Sequence, residues 1–257
     1  MVRSTQVGTL KVQVYPDRTA AGLAAAGSVA DTVSKLQREQ DTISVVFATG
    51  ASQFAILEAL TGMTGFPWNR IVGFHLDEYV EIPAGHPASF RRYLRERLTS
   101  LVPLRRFFEI NGDAKDPEAV CREYARQLRL ANPGICLLGI GENGHLAFND
   151  PGEADFEDPE DVKIVVLDAD CREQQAAEGW FKSAAEVPER AITLTIPAIL
   201  RLPKLVVSVP GSRKADIVRR TLEEAVSTDC PATILRTHPD STLYLDEDSA
   251  AEWEGLG

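Results

Sequence analysis

Ile135-Cys136-Leu137-Leu138-Gly139-Ile140-Gly141-Glu142-Asn143-Gly144-His145-Leu146-Ala147-Phe148-Asn149-Asp150 is the stretch on which the fold of this chain turns. Its opening, Ile135–Gly139, contains no polar side chain. That pattern predicts a strand buried on both faces, as in a parallel sheet, and not the alternation of a half-solvated strand. Polar chemistry begins where the apolar run stops. Gly139, Gly141 and Gly144 permit tight turns and close approach of a ligand. His145 is followed five positions later by Asp150, near enough for a carboxylate to hold an imidazole in one tautomer and orientation.

The same grammar recurs on either side. Apolar, often β-branched runs at Leu10–Tyr15, Ile43–Ala48, Ile71–Leu76, Lys163–Leu167, Ala191–Ile196 and Leu205–Val209 predict further strands. Amphipathic stretches at Asp17–Gln40, Ser52–Gly62, Pro87–Leu101, Pro117–Leu130 and Ser212–Ala225 predict helices between them. Asp17 and Ser212 suit N-caps, and Pro87 suits a first helical turn. Strands alternating with helices imply an α/β fold: three layers, with a mostly parallel, Rossmann-like open sheet flanked by helices. The 257 residues are enough for one such domain with a substantial core. With no internal repeat or low-complexity linker, residues 1–257 are expected to form a single catalytic domain.

Composition narrows the functional classes. A formal net charge of −11 argues against nucleic-acid binding, which needs a basic surface. It leaves a small phosphate ligand open, because backbone amides and one lysine can make a site locally positive. No apolar run approaches the ~20 residues of a membrane span, and the opening residues lack the apolar stretch of a signal peptide, so a cytoplasmic protein is expected. Cys121, Cys136, Cys171 and Cys230 show no CxxC spacing and read as reduced thiols, not as a metal site or a disulfide frame.

Four polar clusters directly follow predicted strands, and in a parallel sheet all four meet at the carboxyl edge, where open α/β folds bind ligands. Thr49-Gly50-Ala51-Ser52 reads either as an ordinary strand–helix turn or as an anion cradle of exposed amides. It is not a P-loop, since no Gly-Lys-Ser/Thr follows. Gly211-Ser212-Arg213-Lys214 repeats the arrangement. Its lysine faces the positive end of a helix dipole, an unfavourable placement that suggests pairing with an anion. Asp77-Glu78 follows Ile71–Leu76, and because side chains alternate in a strand, at most one of the two can reach the cleft as a general base. Gly139–Asp150 supplies the histidine. The acidic stretch Glu153–Asp161 reads as a solvated loop or a lid. His75 reads as core, His86 as part of a helix start, and Trp68, Trp180 and Trp253 as packing.

These residues resemble the glucosamine-6-phosphate deaminase (isomerase) family. The resemblance rests on Phe47-Ala48-Thr49-Gly50, on Leu76-Asp77-Glu78-Tyr79-Val80 with His86-Pro87, on Gly139 through Pro151, on Val187-Pro188 before Ala191-Ile192-Thr193-Leu194, and on Gly211-Ser212-Arg213-Lys214. It implies a hydrolytic deaminase–isomerase of amino-sugar metabolism that turns glucosamine 6-phosphate and water into fructose 6-phosphate and ammonia, with no metal or organic cofactor. By the same resemblance, His145 moves protons as the pyranose ring opens, oriented by Asp150 and Asn143. Asp77 carries the proton between C2 and C1, and Thr49, Gly50, Ala51, Ser52 and Lys214 hold the phosphate. The expected partner is a small sugar phosphate, with no nucleic acid and no membrane; a homo-oligomer is left open.

Three departures from the family pattern stand out. Asp150 stands where glutamate is common, and Asn143 where many members have aspartate. The arginine expected before Val187-Pro188 is missing, with Ala176-Ala177-Glu178-Gly179-Trp180-Phe181 in its place; Arg172, Gln174 and Gln175 are the nearby substitutes. The acids of Glu153–Asp161 would repel the phosphate of an N-acetylglucosamine 6-phosphate activator, so such activation is expected to be absent. The alternatives are a 6-phosphogluconolactonase-type hydrolase, against which the Asp-Glu-Tyr and Ala-Phe-Asn segments speak, and a non-catalytic sugar-phosphate binding protein.

Overall fold

A computed structural model describes residues 2–167, 169–177 and 179–255, with the backbone alone at 170, 174 and 177. In chain order the strands and helices are β1 (Arg3–Val7), β2 (Leu10–Tyr15), α1 (Arg18–Leu36), β3 (Ile43–Phe47), α2 (Phe54–Thr61), β4 (Ile71–His75), β5 (Asp77–Tyr79) and α3 (Phe90–Leu94). They continue with β6 (Arg106–Phe107), α4 (Pro117–Ala131), β7 (Ile135–Leu138), β8 (Val162–Val166), α5 (Ala169–Ala177), β9 (Arg190–Leu194), α6 (Ile196–Leu200), β10 (Leu205–Val209), α7 (Ala215–Glu223) and β11 (Ser241–Asp246). Eight strands form the central sheet in the order β1-β2-β11-β10-β7-β3-β4-β6. Only the β1–β2 pair in it is antiparallel.

Side-chain alternation along the central strands builds two cores. Val46, Phe74, Cys136, Leu138 and Val207 point to one face, where α4 and α7 contribute Tyr124, Leu128, Ile217 and Val218. Val45, Phe47, Ile71, Ile135, Leu137 and Val206 point to the other, against Val29 and Val33 of α1 and Ile56, Leu57 and Leu60 of α2. Burying each such aliphatic side chain contributes roughly 1.5–3 kcal/mol. With both faces covered, the strands must be apolar throughout, which is why their sequences carry no alternation.

The structure corrects several expectations. The runs at Lys163–Leu167 and Ala191–Ile196 are strands, β8 and β9, but they leave the parallel sheet and pair antiparallel in a separate three-stranded sheet with β5. Pro87 does not begin a helix; α3 starts at Phe90, with Ser89 as the side-chain cap. Ser212 makes no side-chain cap, since Gly211 precedes a 3-10 turn that leads into α7. Asp17 does cap α1, accepting from the Ala20 N–H at 2.8 Å.

After β3 the chain runs outward through β4 and β6, then crosses back to place β7 on the far side of β3. This reversal opens a crevice at the carboxyl ends of β3 and β7, the usual ligand position in such sheets.

Candidate active site

A cavity of about 660 Å³ lies at this edge, and all four polar clusters reach it: Thr49–Ser52 after β3, Asp77 after β4, Gly139–His145 after β7 and Gly211–Lys214 after β10. The two glycine turns share one backbone shape. Gly50 (φ 90°, ψ 170°) precedes the 3-10 turn Ala51–Gln53, and Gly211 (φ 96°, ψ 151°) precedes Ser212–Lys214. A φ near +90° is costly for any residue with a Cβ, which is why glycine stands at both positions. The Ser208 hydroxyl donates to the Ser52 carbonyl at 3.1 Å and ties the two turns together. Lys214 closes the second turn and lines the cavity.

His145, which also lines the cavity, belongs to a compact relay. Its Nδ1 lies 2.8 Å from Asn143 Oδ1 and 3.0 Å from Asp150 Oδ1. The Asn143 carboxamide is oriented by its own bonds: Nδ2 donates to Asp150 Oδ1 at 2.8 Å, and Oδ1 accepts the His145 N–H at 3.1 Å. With two oxygen acceptors facing it, Nδ1 carries the proton, and Nε2 is left with the lone pair that can take a proton from a ligand. Asp150 is buried behind the histidine. Burial pushes its carboxyl upward, but the charge of His145 and hydrogen bonds from His145, Asn143 and Cys171 outweigh that, and the pKa lies below the ordinary value.

Of the adjacent acids, Asp77 lines the cavity and Glu78 does not. Glu78 is fully buried and accepts from the Ser89 hydroxyl (2.7 Å), the Phe90 N–H (3.1 Å), the Arg91 N–H (3.0 Å) and Arg91 Nε (3.2 Å). Burial raises its pKa against those bonds. Glu78 thus anchors α3, while Asp77 faces the cavity. Its neighbour His75 is fully buried, accepts the Ile110 N–H at Nε2 (2.8 Å), and is pushed by burial to about 3, so it is a neutral core residue.

A model of the family described as glucosamine-6-phosphate isomerases/6-phosphogluconolactonase matches residues 16–244. The chain belongs to this family. It is 36% identical over 183 residues to the glucosamine-6-phosphate deaminase of Exiguobacterium sp. (strain AT1b), covering 71% of this chain and 70% of that protein. It is 34% identical over 226 residues to that of Geobacillus sp. (strain WCH70), covering 86% and 88%. A solved monomeric glucosamine-6-phosphate deaminase superposes with a TM-score of 0.85 at 31% identity, covering 94% of this chain and 99% of that one. The 6-phosphogluconolactonase of Thermotoga maritima, at 22% identity and a TM-score of 0.73, covers 91% and 98% and shares the fold.

The three departures of this family member can now be placed. Asp150, though one methylene shorter than glutamate, still meets Nδ1, and Asn143 adds a second oxygen there. In the segment that lacks the arginine, Trp180 and Gln175 line the cavity. Trp180 is therefore a wall of the site, 37% exposed, and not packing, unlike the buried Trp68 and Trp253. Gln175 accepts from the Tyr79 hydroxyl at 2.6 Å, while Arg172 does not line the cavity. The Gln174 side chain and Glu178 lie outside the described residues. Arg18, Tyr93 and Arg97 also line the cavity. Sequence reading misses them because each sits in a helical stretch that resembles a solvated face.

The acidic loop Glu153–Asp161 does not line the cavity. It is tied to the scaffold by Lys163, which reaches Asp158 at 2.9 Å and the Glu153 carbonyl at 2.9 Å, by Thr195 bonded to the Glu160 carbonyl at 2.7 Å, and by Arg129 and Arg201 on Asp161. All four cysteines are buried and unbridged. Among the described residues no cluster of three or more His, Cys, Asp or Glu could hold a metal ion, and no helix is long and apolar enough to cross a membrane.

Proposed function

We propose that this protein converts glucosamine 6-phosphate and water to fructose 6-phosphate and ammonia, acting as one catalytic unit in cytoplasmic amino-sugar metabolism. The observation that carries the reading is that the Asp77 carboxylate, the His145 relay, two glycine turns and Lys214 all line one cavity. Membership of the family and likeness to named deaminases over most of the chain support it.

In this mechanism Thr49, Gly50, Ala51, Ser52 and Lys214 hold the phosphate and so fix the sugar carbons against the acid–base groups. His145 Nε2 takes the proton of the C1 hydroxyl and returns it to the ring oxygen, breaking the C1–O5 bond and giving the open-chain aldehyde. Asp150 and Asn143 stabilise the imidazolium that forms between the two transfers. Asp77 removes the C2 proton to give an enol-type intermediate and delivers it to C1. The resulting C2 imine adds water and expels ammonia, leaving the ketone of fructose 6-phosphate.

The test is Asp77→Asn, which keeps the shape and removes the base. Isomerisation and ammonia release should fall by roughly three orders of magnitude, within the ~10²–10⁴-fold that a positioned general base supplies, while glucose 6-phosphate still binds. Turnover near wild type would show that Asp77 is not the base.

A further inference from the structure

We propose that Arg97 is the guanidinium that binds the phosphate end of the substrate, replacing the arginine that the segment before Val187-Pro188 lacks. This rests on the reading of the cavity as a sugar-phosphate site.

Arg97 reaches the cavity through an irregularity in the backbone. Directly after α3, residues Arg95–Thr99 form a π-helical segment in which the Ser100 N–H bonds the Arg95 carbonyl, five residues back, at 3.0 Å. Such segments often mark functional sites, because the extra residue turns side chains away from the regular helix face. Here it sets Arg97 over the aromatic floor of the cavity, with Cζ 4.1 Å from the Phe54 ring centroid and 5.3 Å from that of Tyr93. The two rings stack on each other at 5.9 Å and 16°. Both belong to the anion cradle: Phe54 begins the helix after Gly50, and the Tyr93 hydroxyl donates to the Gly50 carbonyl at 2.9 Å.

Charge pairing sets Arg97 apart from the other arginines of its own segment, and burial sets it apart from Arg18, which also lacks a carboxylate partner among the described residues. The neighbours of Arg97 are all neutralised: Arg91 by Glu78 and Asp113, Arg92 by Glu96, Arg95 by Glu109. Arg97 has no carboxylate within ion-pair distance among the described residues, although it is half-buried in an acidic protein. Of the other cavity arginines, Arg213 is engaged by Glu142 at 2.8 Å and Arg18 is exposed at the rim near Gly211. A guanidinium held by π faces keeps its N–H fork for a planar, bidentate anion contact.

Calorimetric titration with inorganic phosphate, glucose 6-phosphate and glucose tests this without requiring turnover. Arg97→Gln should weaken both phosphate ligands roughly 10- to 100-fold, the range for losing a charge-assisted bond, and leave any binding of glucose unchanged. Arg97→Lys, which keeps a cation over Phe54 and so guards against a folding defect, should fall between the two. Arg92→Gln, on the paired face, should match wild type. If Arg97→Gln binds phosphate within threefold of wild type, or if Arg18→Gln takes the loss instead, the assignment is overturned. A wild-type protein that binds phosphate through Arg97 yet releases no ammonia would keep this assignment and remove the deaminase reading.

Discussion

Gly141→Ala is the smallest change that should disable the site, and its size follows from the geometry. An alanine Cβ at this position would lie 2.1 Å from Cε1 of His145 and 2.3 Å from each ring nitrogen, where ordinary contact begins at 3.4 Å. The φ of Gly141 lies outside the left-handed range, so the backbone accepts alanine and the side-chain clash is the whole effect. The imidazole has to move by about 1.3 Å, and its contacts of 2.8 and 3.0 Å to Asn143 and Asp150 cannot survive such a shift. A misplacement of ~1 Å at the reacting group costs on the order of 10²-fold in rate. The variant should therefore lose roughly 100-fold in kcat, with KM changed little because the anion cradle belongs to other strands. Ammonia release measured over a range of glucosamine 6-phosphate concentrations gives both constants. Gly27→Ala is the control, since nothing lies within 4 Å of its added Cβ. A Gly141→Ala enzyme with kcat within threefold of wild type would refute the placement of the His145 ring against this glycine.

Two further outcomes follow from the charges. Lys214→Ala should raise KM by roughly 10- to 100-fold, the worth of one charge-assisted bond, with a small change in kcat, and an unchanged KM would remove Lys214 from the cradle. Asp150→Asn leaves Asn143 Oδ1 on Nδ1, so kcat should drop roughly 10- to 100-fold without vanishing. Because the folded pKa of Asp150 is depressed, its carboxylate contributes stability above the unfolded value of about 3.9, and that stability is lost as pH falls through the folded pKa. Urea unfolding at stepped pH should show the Asn variant losing less stability than wild type on acidification, and parallel curves would contradict the depressed pKa.

The central strands and the four clusters were legible because a strand buried on both faces must be apolar and its polar neighbours must then gather at one edge. Leu10–Tyr15 and Leu205–Val209 agree with the structure to the residue. Apolar runs alone could not show that β8 and β9 pair in another sheet, since either environment buries them. Asp77 and Glu78 were separable in principle, by alternation, but which faces the cavity depends on the cap residue Ser89 and on Arg91 of α3 as partners for Glu78. Arg97 and Trp180 could not be found this way. One depends on a π segment with no sequence signature, and the other lies in a stretch whose usual arginine is absent.

The most direct test of the account is to supply the purified protein with glucosamine 6-phosphate and measure ammonia and fructose 6-phosphate together. Equal amounts of both, with Asp77→Asn inactive, is the predicted result. No product from this substrate, with hydrolysis of 6-phosphogluconolactone by the same preparation, would contradict it.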